Sequence, residues 1–474
     1  MSGNLPRSCT RLLTMPYSLP RIKSKTLAAN NLPIFASCDV IRGGLMLSVA
    51  TAQAEGRLKS PAHPGRAETG WRLLKIHNLR WLWISQAISQ IGDGLNKVAL
   101  LYLVYNLTNS TLMMTMIGVL QTLPPLILGP LLGVYVDRFP KKWVMMAVDT
   151  LRAGLALVIP VLYSTNALTL PRLYIVVFVM ALVSTVFGPA LSATVPLIVE
   201  RSQLTAANAL VATTAMIGML VGPAISGLGI ATVGMQVVLY ATSATFLLSV
   251  LCLSRLHLKK GESGYRPARH RSFIKDLKEG LHFVFVEHRT VAGFVLTALC
   301  YSLASSAFVF LLPVFAERVL HVGAMMLGWL WSAYGAGMVA ISIALAYTKE
   351  LKPSRRLLMI AGAMVTGGLA SLILAHTTHS VLSIALVAII GAGLAAYPPV
   401  AWGMLQEMTP ERLRGRVFSI FNTAAMSASM IGMVAFGWVT DRLGPETSLL
   451  GMAAIFSLTA AASLLLRKFG KLKT

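Results

Sequence analysis

The sequence predicts an all-α polytopic membrane protein with about twelve transmembrane helices in two pseudo-symmetric six-helix bundles. Its 474 residues are 55% hydrophobic and 12% charged, and the mean hydropathy is +0.70. A soluble domain carries about 25% charged residues. Apolar runs of about 20 residues recur, and each is long enough to cross a hydrocarbon core of roughly 30 Å as a helix. These runs lack the polar–apolar alternation of transmembrane β-strands.

The apolar runs form two sets of six, separated by a basic interval. They lie near 81–105, 112–135, 143–163, 172–198, 206–230, 236–256, 291–315, 324–347, 357–375, 381–405, 417–439 and 448–466. The predicted organisation is a disordered N-terminal tail (1–75), a first bundle (76–254), a cytoplasmic central loop (255–290), a second bundle (291–466) and a basic cytoplasmic tail (467–474).

The two sets of spans resemble each other at an offset of about 210 residues. The pair Lys141-Lys142 has an echo in Arg355-Arg356, each just before a new span. Phe187-Gly-Pro189 has an echo in Tyr397-Pro-Pro399, each in the fourth span of its half. Parallel repeats of this kind predict a pseudo-twofold axis along the membrane normal, with a substrate site at the midplane between the halves.

The basic residues fall on one side of the predicted bilayer, although the formal net charge is +24. With the N-terminus in the cytoplasm, the opposite loops hold only Arg172, Arg318 and Arg442. This positive-inside bias predicts a multi-pass protein of the inner or plasma membrane, with both termini cytoplasmic. The basicity also attracts the anionic surface of the lipid bilayer, so nucleic acid is not expected as a partner.

Residues 1–75 lie outside the predicted membrane body and contain few acids. We expect an inert disordered tail or an upstream start of the reading frame. An organelle transit peptide stays open, because such peptides are rich in Arg and poor in acids. A secretory signal at Leu45–Ala50 is disfavoured, because cleavage after it would leave a run of basic residues on the wrong side.

A short charged turn, here called the latch segment, joins the second and third spans. It contains Gly133, Asp137, Arg138, Lys141 and Lys142. Charges at this density must lie at the water interface, and the glycine lets two helix ends approach closely. Asp137 can face the positive N-terminal end of the eleventh span, near Arg414 and Arg416. We expect this contact to hold one conformation of a transporter and to break on switching.

The first span carries a stripe of polar residues at helical spacing. The stripe contains Gln86, Ser89, Gln90, Asp93, Asn96 and Lys97. A charge at the centre of a bilayer costs at least about 2.5–3.5 kcal/mol, so this face must meet a wet cavity or a partner helix. Two interpretations stay open: Asp93 exchanges protons or contacts substrate, or it forms a structural pair with Lys97 one turn away.

Two further groups of residues carry open alternatives. Asp149 and Arg152 lie three apart in the third span, and we expect a structural clamp near the latch segment. Aromatic residues of the second half can line a binding site, anchor the interface or pack the core. They are Tyr301, Trp329, Trp331, Tyr334, Tyr397 and Trp402.

At these residues the chain resembles the major facilitator superfamily, over roughly residues 75–466. Gly133-x-x-x-Asp137-Arg138-x-x-Lys141-Lys142 is similar to that superfamily's loop signature, except that Phe139-Pro140 replaces the usual glycine. Further segments resemble the macrolide-efflux and enterobactin-exporter branch: Gln90-Ile-Gly92-Asp93-Gly94, Asp149-x-x-Arg152, Phe187-Gly-Pro189-Ala-Leu-Ser-Ala, and Pro410-Glu-Arg-Leu-Arg-Gly415-Arg416-Val. The resemblance implies proton-driven export.

A motif in the fifth span is similar to the glycine-proline motif of drug:proton antiporters. Its members are Gly218, Gly222, Pro223 and Gly227. Small residues at this spacing let a neighbouring helix pack backbone to backbone, and proline kinks the helix. Ordinary small-residue packing is the alternative. The arginine that many antiporters carry inside the fourth span has no counterpart here.

The sequence therefore predicts a secondary transporter that exports small amphipathic compounds of drug, macrolide or siderophore type in exchange for protons, by alternating access. Uptake of a nutrient or lipid is the alternative, and a membrane scaffold is less favoured. An enzyme is not expected, because no nucleophile–base or metal-ligand spacing is present, and no cofactor or phosphate-binding loop is predicted. Both halves lie on one chain, which predicts a functional monomer.

Overall fold

The computed structural model describes residues 70–136, 139–258, 273–348 and 351–469, and these ranges are almost entirely helical. The first half contains α1 (His77–Thr108), α2 (Thr111–Val136), α3 (Lys141–Ser164), α4 (Leu170–Ser184), α5 (Phe187–Thr194), α6 (Leu204–Thr232) and α7 (Met235–Ser254). Then follow α8 (Phe273–His282), α9 (Arg289–Arg318), α10 (Ala324–Ala346), α11 (Pro353–Leu374), α12 (Ser380–Met408), α13 (Glu411–Leu443) and α14 (Pro445–Phe469). Most of the predicted tail, residues 259–272 of the predicted central loop, and 470–474 lie outside the described residues.

The described helices confirm the predicted membrane fold. Eleven helical segments of the described chain are long and apolar enough to cross a membrane. The remaining long helix is α1, which has 32 residues and carries the polar stripe. Its length exceeds the roughly 20 residues that a bilayer crossing requires.

The fourth predicted span, 172–198, is interrupted in the structure. Helix α4 ends at Ser184, a turn occupies Thr185 and Val186, and α5 begins at Phe187. Pro189 contributes to the break, because proline has no N–H to donate and its ring clashes with the carbonyl four residues earlier. The corresponding prolines of the second half, Pro398 and Pro399, lie inside the continuous helix α12.

The two halves repeat the same helix pairings. In the first half α1 packs on α6 and α7, α3 packs on α7, and α2 and α3 both pack on α4. In the second half α9 packs on α13 and α14, α11 packs on α14, and α10 and α11 both pack on α12. Each pairing in one half has its counterpart in the other, as expected for two pseudo-symmetric bundles of parallel topology.

The most extensive contacts between the halves are those of α6 with α10 and of α2 with α13. At the first contact, a methyl group added to Gly227 would lie 2.7 Å from the Cα of Gly328. At the second, a methyl group added to Gly437 would lie 3.1 Å from the Cα of Leu112. The halves therefore touch through backbone at small residues, which is typical of close helix packing in membranes.

In the described part of the predicted central loop, Phe273–His282 form α8 and Phe283–Glu287 form a short π-helical segment. Helix α8 packs on α13, and its Gly280 faces Ile420 and the side chain of Arg416. The end of the molecule that carries the α1–α2 turn is called the Asn109 end below. The end that carries the α2–α3 turn is called the Lys141 end.

Candidate functional site

A cavity of about 380 Å³ lies beside the polar stripe of α1. The residues that line it come from the first half and the turn after α4: Asp93, Asn96, Lys97, Leu100, Gln121, Pro125, Arg152, Val177, Met180, Ala181, Ser184 and Thr185. Three of the predicted stripe residues, Asp93, Asn96 and Lys97, face this cavity. The sequence placed the substrate site between the halves, whereas this cavity is bounded by α1, α2, α3 and α4.

The other stripe residues pack against neighbouring helices. Gln86 and Ser89 are buried, with 2% and 3% of their surfaces exposed. The backbone of Gln90 faces Gly218 of α6. The stripe therefore meets both a cavity and partner helices, which is what its cost in a bilayer requires.

Arg152 of α3 is the ionic partner of Asp93. Its Nη2 forms an ion pair with Oδ1 of Asp93. Its Nη1 donates hydrogen bonds to Oγ of Ser89 at 3.2 Å and to Oδ1 of Asp149 at 3.3 Å. The guanidinium also lies 4.1 Å from the ring centroid of Phe246 on α7. A planar guanidinium with several donors can hold two carboxylates at once, which an ammonium does less well.

Asp149 anchors the buried side of this cluster. Its side chain is fully buried, and its Oδ2 accepts a hydrogen bond of 2.6 Å from Oγ of Ser249 on α7. The Asp93 side chain keeps 39% of its surface exposed, whereas that of Arg152 keeps 7%. The cluster thus has one carboxylate that faces the cavity and one that is sealed inside the bundle. The sequence predicts a clamp of Asp149 and Arg152 near the latch segment, and their contact with Asp93 was not predicted.

Lys97 interacts with an aromatic ring of the second half. Its Nζ lies 4.8 Å from the ring centroid of Trp331 on α10. Among the described residues no carboxylate lies within 4.0 Å of this ammonium, so Lys97 makes no contact ion pair with Asp93, although the two charges interact over a longer distance. Asp93 forms its ion pair with Arg152 instead. A cation over an indole face is an attractive contact worth about 0.5–2 kcal/mol.

The predicted aromatic residues form mainly core contacts. Tyr301 and Tyr397 stack with ring centroids 4.3 Å apart, and Trp331 is almost fully buried. Trp329 and Trp402 are exposed on the surface of the bundle. None of the six predicted aromatics lines the cavity beside Asp93.

The glycines of α6 form a seam against α1, here called the glycine seam. A methyl group added to Gly222 would lie 2.7 Å from the Cα of Gly94 and 2.9 Å from the carbonyl oxygen of Ile91. Gly94 in turn faces the ring of Pro223. Gly227, at the far end of the motif, faces α10 rather than α1. The predicted motif thus packs α6 onto α1 at one end and onto the second half at the other.

The latch segment is described only in part. Gly133 lies in α2 and Lys141 begins α3, whereas Asp137 and Arg138 lie outside the described residues. Lys142 Nζ donates hydrogen bonds of 2.7 Å to the carbonyl oxygens of Ser254, the last residue of α7, and of Leu256, just beyond its end. An ammonium at the C-terminal end of a helix is favourable, because carbonyl groups there have no helical partner.

At the predicted partner of the latch, the start of α13, a carboxylate from α8 binds two arginines. Glu279 forms an ion pair with Arg416, and its Oε1 lies 3.2 Å from Nη2 of Arg412. Arg414 Nη1 lies 4.0 Å from Oε1 of Glu411 on its own helix. Glu279 is not predicted as a site residue from the sequence, because residues 255–290 are predicted to form a loop.

At the Asn109 end, two charged residues of the second half form hydrogen bonds with the turn between α1 and α2. Asp441 of α13 accepts hydrogen bonds from Ser110 Oγ and the Thr111 N–H, both at 2.6 Å, and from the Leu112 N–H at 3.1 Å. Arg318 of α9 donates to the Tyr105 hydroxyl at 2.7 Å and to the Asn109 carbonyl at 2.8 Å. The acid thus meets the positive start of α2, and the base meets the negative end of α1.

A sequence model of the family described as transmembrane secretion effector matches residues 68–472. The chain is 28% identical over 375 residues to the multidrug efflux pump Tap of Mycobacterium tuberculosis, covering 76% of this chain and 87% of that protein. It is 22% identical over 365 residues to macrolide efflux protein A of Streptococcus pyogenes, covering 77% and 89%.

Solved structures share the fold at low sequence identity. A bacterial homologue of the iron transporter ferroportin, in an inward-facing state, matches with a TM-score of 0.67 at 14% identity, covering 83% of this chain and 99% of that one. The nucleoside transporter NupG matches with a TM-score of 0.66 at 14% identity, covering 82% and 99%. At this level of identity these likenesses show the fold alone.

Proposed function

Because this chain belongs to the transmembrane secretion effector family of the major facilitator superfamily, we propose that it exports small amphipathic compounds in exchange for protons. The chain is a multi-pass membrane transporter of small molecules and not an enzyme. The relatives named as multidrug and macrolide efflux proteins favour export of compounds of drug, macrolide or siderophore type.

The observation that carries the proton-coupled role is the carboxylate of Asp93 on the wall of the cavity. Its side chain is 39% exposed, so cavity water can deliver or remove a proton. Its counter-ion Arg152 is bound to a second carboxylate as well, so neutralising Asp93 does not leave the guanidinium without a partner. A proton site needs both properties, since a charge deep in a bilayer is otherwise strongly disfavoured.

The driving force is sufficient for useful export. One elementary charge is worth about 2.3 kcal/mol per 100 mV, so a proton-motive force of roughly 150 mV supplies about 3.5 kcal/mol. At about 1.4 kcal/mol per tenfold, one proton per neutral substrate sustains a gradient of a few hundredfold. No nucleotide is required.

Alternating access follows from rocking of the two halves against each other at α6–α10 and α2–α13. In this proposal the Asn109 end faces outward and the Lys141 end faces the cytoplasm, as the Lys and Arg distribution favours. The latch segment contributes at the cytoplasmic end, where Asp137 would meet the start of α13 near Arg414 and Arg416. The protein works as a monomer in the cell membrane, because both halves lie on one chain.

The decisive experiment measures drug and siderophore accumulation in cells with and without the protein, each with and without a protonophore. Expression should lower accumulation, and the protonophore should abolish the difference. Uptake would instead appear as higher accumulation in expressing cells, which would contradict the direction proposed here. An expression-dependent difference that survives the protonophore would contradict coupling to protons.

Asp93→Asn tests the carboxylate. We expect this variant to insert normally but to lose efflux driven by a pH gradient in everted membrane vesicles, because Asn cannot gain or lose the proton. Glu446→Gln is the matched control, since it removes an exposed acid at the start of α14, away from the cavity. Unchanged pH dependence in Asp93→Asn would remove Asp93 from the coupling role.

A further inference from the structure

We propose that Arg152 is a positioning residue that divides itself between Asp93 and Asp149, and that Asp149 with Ser249 thereby sets the pH at which transport responds. This inference rests on the proton exchange proposed for Asp93. It assigns a role to two buried residues, Asp149 and Ser249, which do not line the cavity.

The geometry places the guanidinium between the two carboxylates. Its Nη2 holds Asp93, and its Nη1 lies 3.3 Å from Asp149 Oδ1. The ring of Phe246, 4.1 Å away, covers the guanidinium on one side. A small movement between the two acids would therefore exchange one partner for the other without exposing the cation to lipid.

The two carboxylates differ in access, and this difference assigns their roles. Asp93 is partly exposed in the cavity, whereas Asp149 is fully buried and fixed to α7 by the Ser249 hydroxyl at 2.6 Å. An arginine keeps its proton under all conditions relevant here. When Asp93 takes up a proton, Arg152 loses one partner, and Asp149 keeps the buried cation paired. Without Asp149 the protonated state of Asp93 would leave an isolated buried cation, which is strongly unfavourable.

Few other charges face this cluster. Lys97 lies one turn from Asp93 on α1 and contacts Trp331. Helices α2, α6, α7 and α10 contain no Asp, Glu, Lys, Arg or His, and the basic residue of α4, Arg172, lies at the start of that helix. The pH response of Asp93 is thus governed by Arg152, Asp149 and Lys97, which makes the effect of single substitutions readable.

Two substitutions should shift the pH midpoint of transport in opposite directions. In Asp149→Asn the guanidinium has Asp93 as its sole carboxylate partner, so Asp93 holds its charge more strongly and the midpoint falls by about one pH unit. In Ser249→Ala the Asp149 carboxylate loses its hydroxyl donor and draws Arg152 more strongly, so the midpoint rises. The measurement is the initial rate of substrate transport in proteoliposomes as a function of pH on the side that faces the cavity.

Ser243→Ala is the matched control. Ser243 is also a buried serine of α7, but its hydroxyl donates a hydrogen bond of 2.7 Å to the backbone carbonyl of Ala153 rather than to a carboxylate. It should leave the midpoint unchanged. Arg152→Lys should keep the charge yet shift the midpoint, because a single ammonium cannot hold both acids in the geometry of a fork.

The outcomes separate this inference from the proposed function. Opposite shifts in Asp149→Asn and Ser249→Ala, with no shift in Ser243→Ala, support it. If wild-type transport depends on pH but both variants shift in the same direction or keep the wild-type midpoint, the role of Arg152 is wrong while proton coupling stands. If Asp149→Asn does not insert, the sign of the shift in Ser249→Ala decides. A wild type whose transport ignores pH overturns proton coupling and this role with it.

Discussion

Substituting Gly222 by alanine should separate α6 from α1 and disturb the cluster around Asp93. An alanine Cβ at this position would lie 2.7 Å from the Cα of Gly94 and 2.9 Å from the carbonyl of Ile91, whereas ordinary contact begins at 3.4 Å. The shortfall against Gly94 is therefore 0.7 Å, from 3.4 − 2.7. Both obstructing groups are backbone, so no side chain can rotate away and the helices themselves must move.

The expected cost follows from overpacking in other well-packed interiors, about 1–3 kcal/mol of folding free energy. Because Gly94 directly follows Asp93 on α1, the same displacement moves the carboxylate relative to Arg152 on α3. We therefore expect Gly222→Ala to lower the melting temperature of the purified protein and to reduce transport more than the loss of folded protein explains. The double variant with Gly94→Ala should be worse than either single variant.

The assay is thermal unfolding in detergent, followed by fluorescence-detected size-exclusion chromatography, together with transport per folded molecule. Gly154→Ala in α3 is the matched control, because a methyl group there meets no atom within 4 Å. Alanine at that site should be neutral or mildly stabilising, by up to about 1 kcal/mol, since it favours the helix over glycine. A Gly222→Ala protein that melts at or above the wild-type temperature would refute the close seam between α6 and α1.

Two further substitutions test the ends of the molecule. Asp441→Asn should weaken the hydrogen bonds that hold the start of α2 against α13, because a hydrogen bond to a charged acceptor is worth about 1.5–3 kcal/mol. This should raise the labelling rate of a cysteine introduced at Thr115 about tenfold or more, with Asp441→Glu as the control that keeps the charge. Equal labelling in wild type and Asp441→Asn would contradict that contact. Lys142→Ala removes two hydrogen bonds to the C-terminal end of α7 and should cost about 1 kcal/mol in thermal unfolding, since the ammonium is partly solvated. Lys352→Ala, which removes an exposed lysine at the start of α11, provides the comparison, and a Lys142→Ala protein as stable as wild type would contradict the capping role.

The fold was predictable from the sequence because each span is a continuous run of apolar residues, which can be recognised without knowing how the helices pack. Residues 206–230 are predicted as a span and lie within α6, Leu204–Thr232, and a similar agreement holds for α2. The break between α4 and α5 was not predicted, although Pro189 was recognised as part of the fourth span. The same kind of residue interrupts the fourth span at Pro189 and is accommodated at Pro398 in α12, so proline alone does not decide the outcome.

The candidate site was less predictable because its contacts join distant parts of the chain. Asp93 was identified from its cost in a bilayer, which needs no knowledge of packing. Its partner Arg152 is 59 residues away and depends on which face of α3 meets α1. A usable signal did exist, since Asp149 and Arg152 share a helical face with Ala153 and Ala156, which are buried.

Glu279 and Asp441 were missed for different reasons. Glu279 lies in a basic interval whose composition suggested a loop, while the structure forms α8 there. Asp441 is a single acid at the end of a span, next to Arg442, and nothing in its neighbourhood distinguishes it from an ordinary boundary charge. Its importance comes from a helix start more than 300 residues earlier in the chain.

The contact of Asp441 with the turn between α1 and α2 determines which amino-acid substitutions that turn tolerates. Two of the three hydrogen bonds go to main-chain N–H groups, and Arg318 likewise reaches a main-chain carbonyl at Asn109. Any residue other than proline supplies a main-chain N–H group. Substitutions in the turn can therefore accumulate while its main-chain hydrogen bonds to the second half are kept. The vulnerability lies mainly on the second half, where the loss of one acid or one guanidinium cannot be compensated by the backbone it holds.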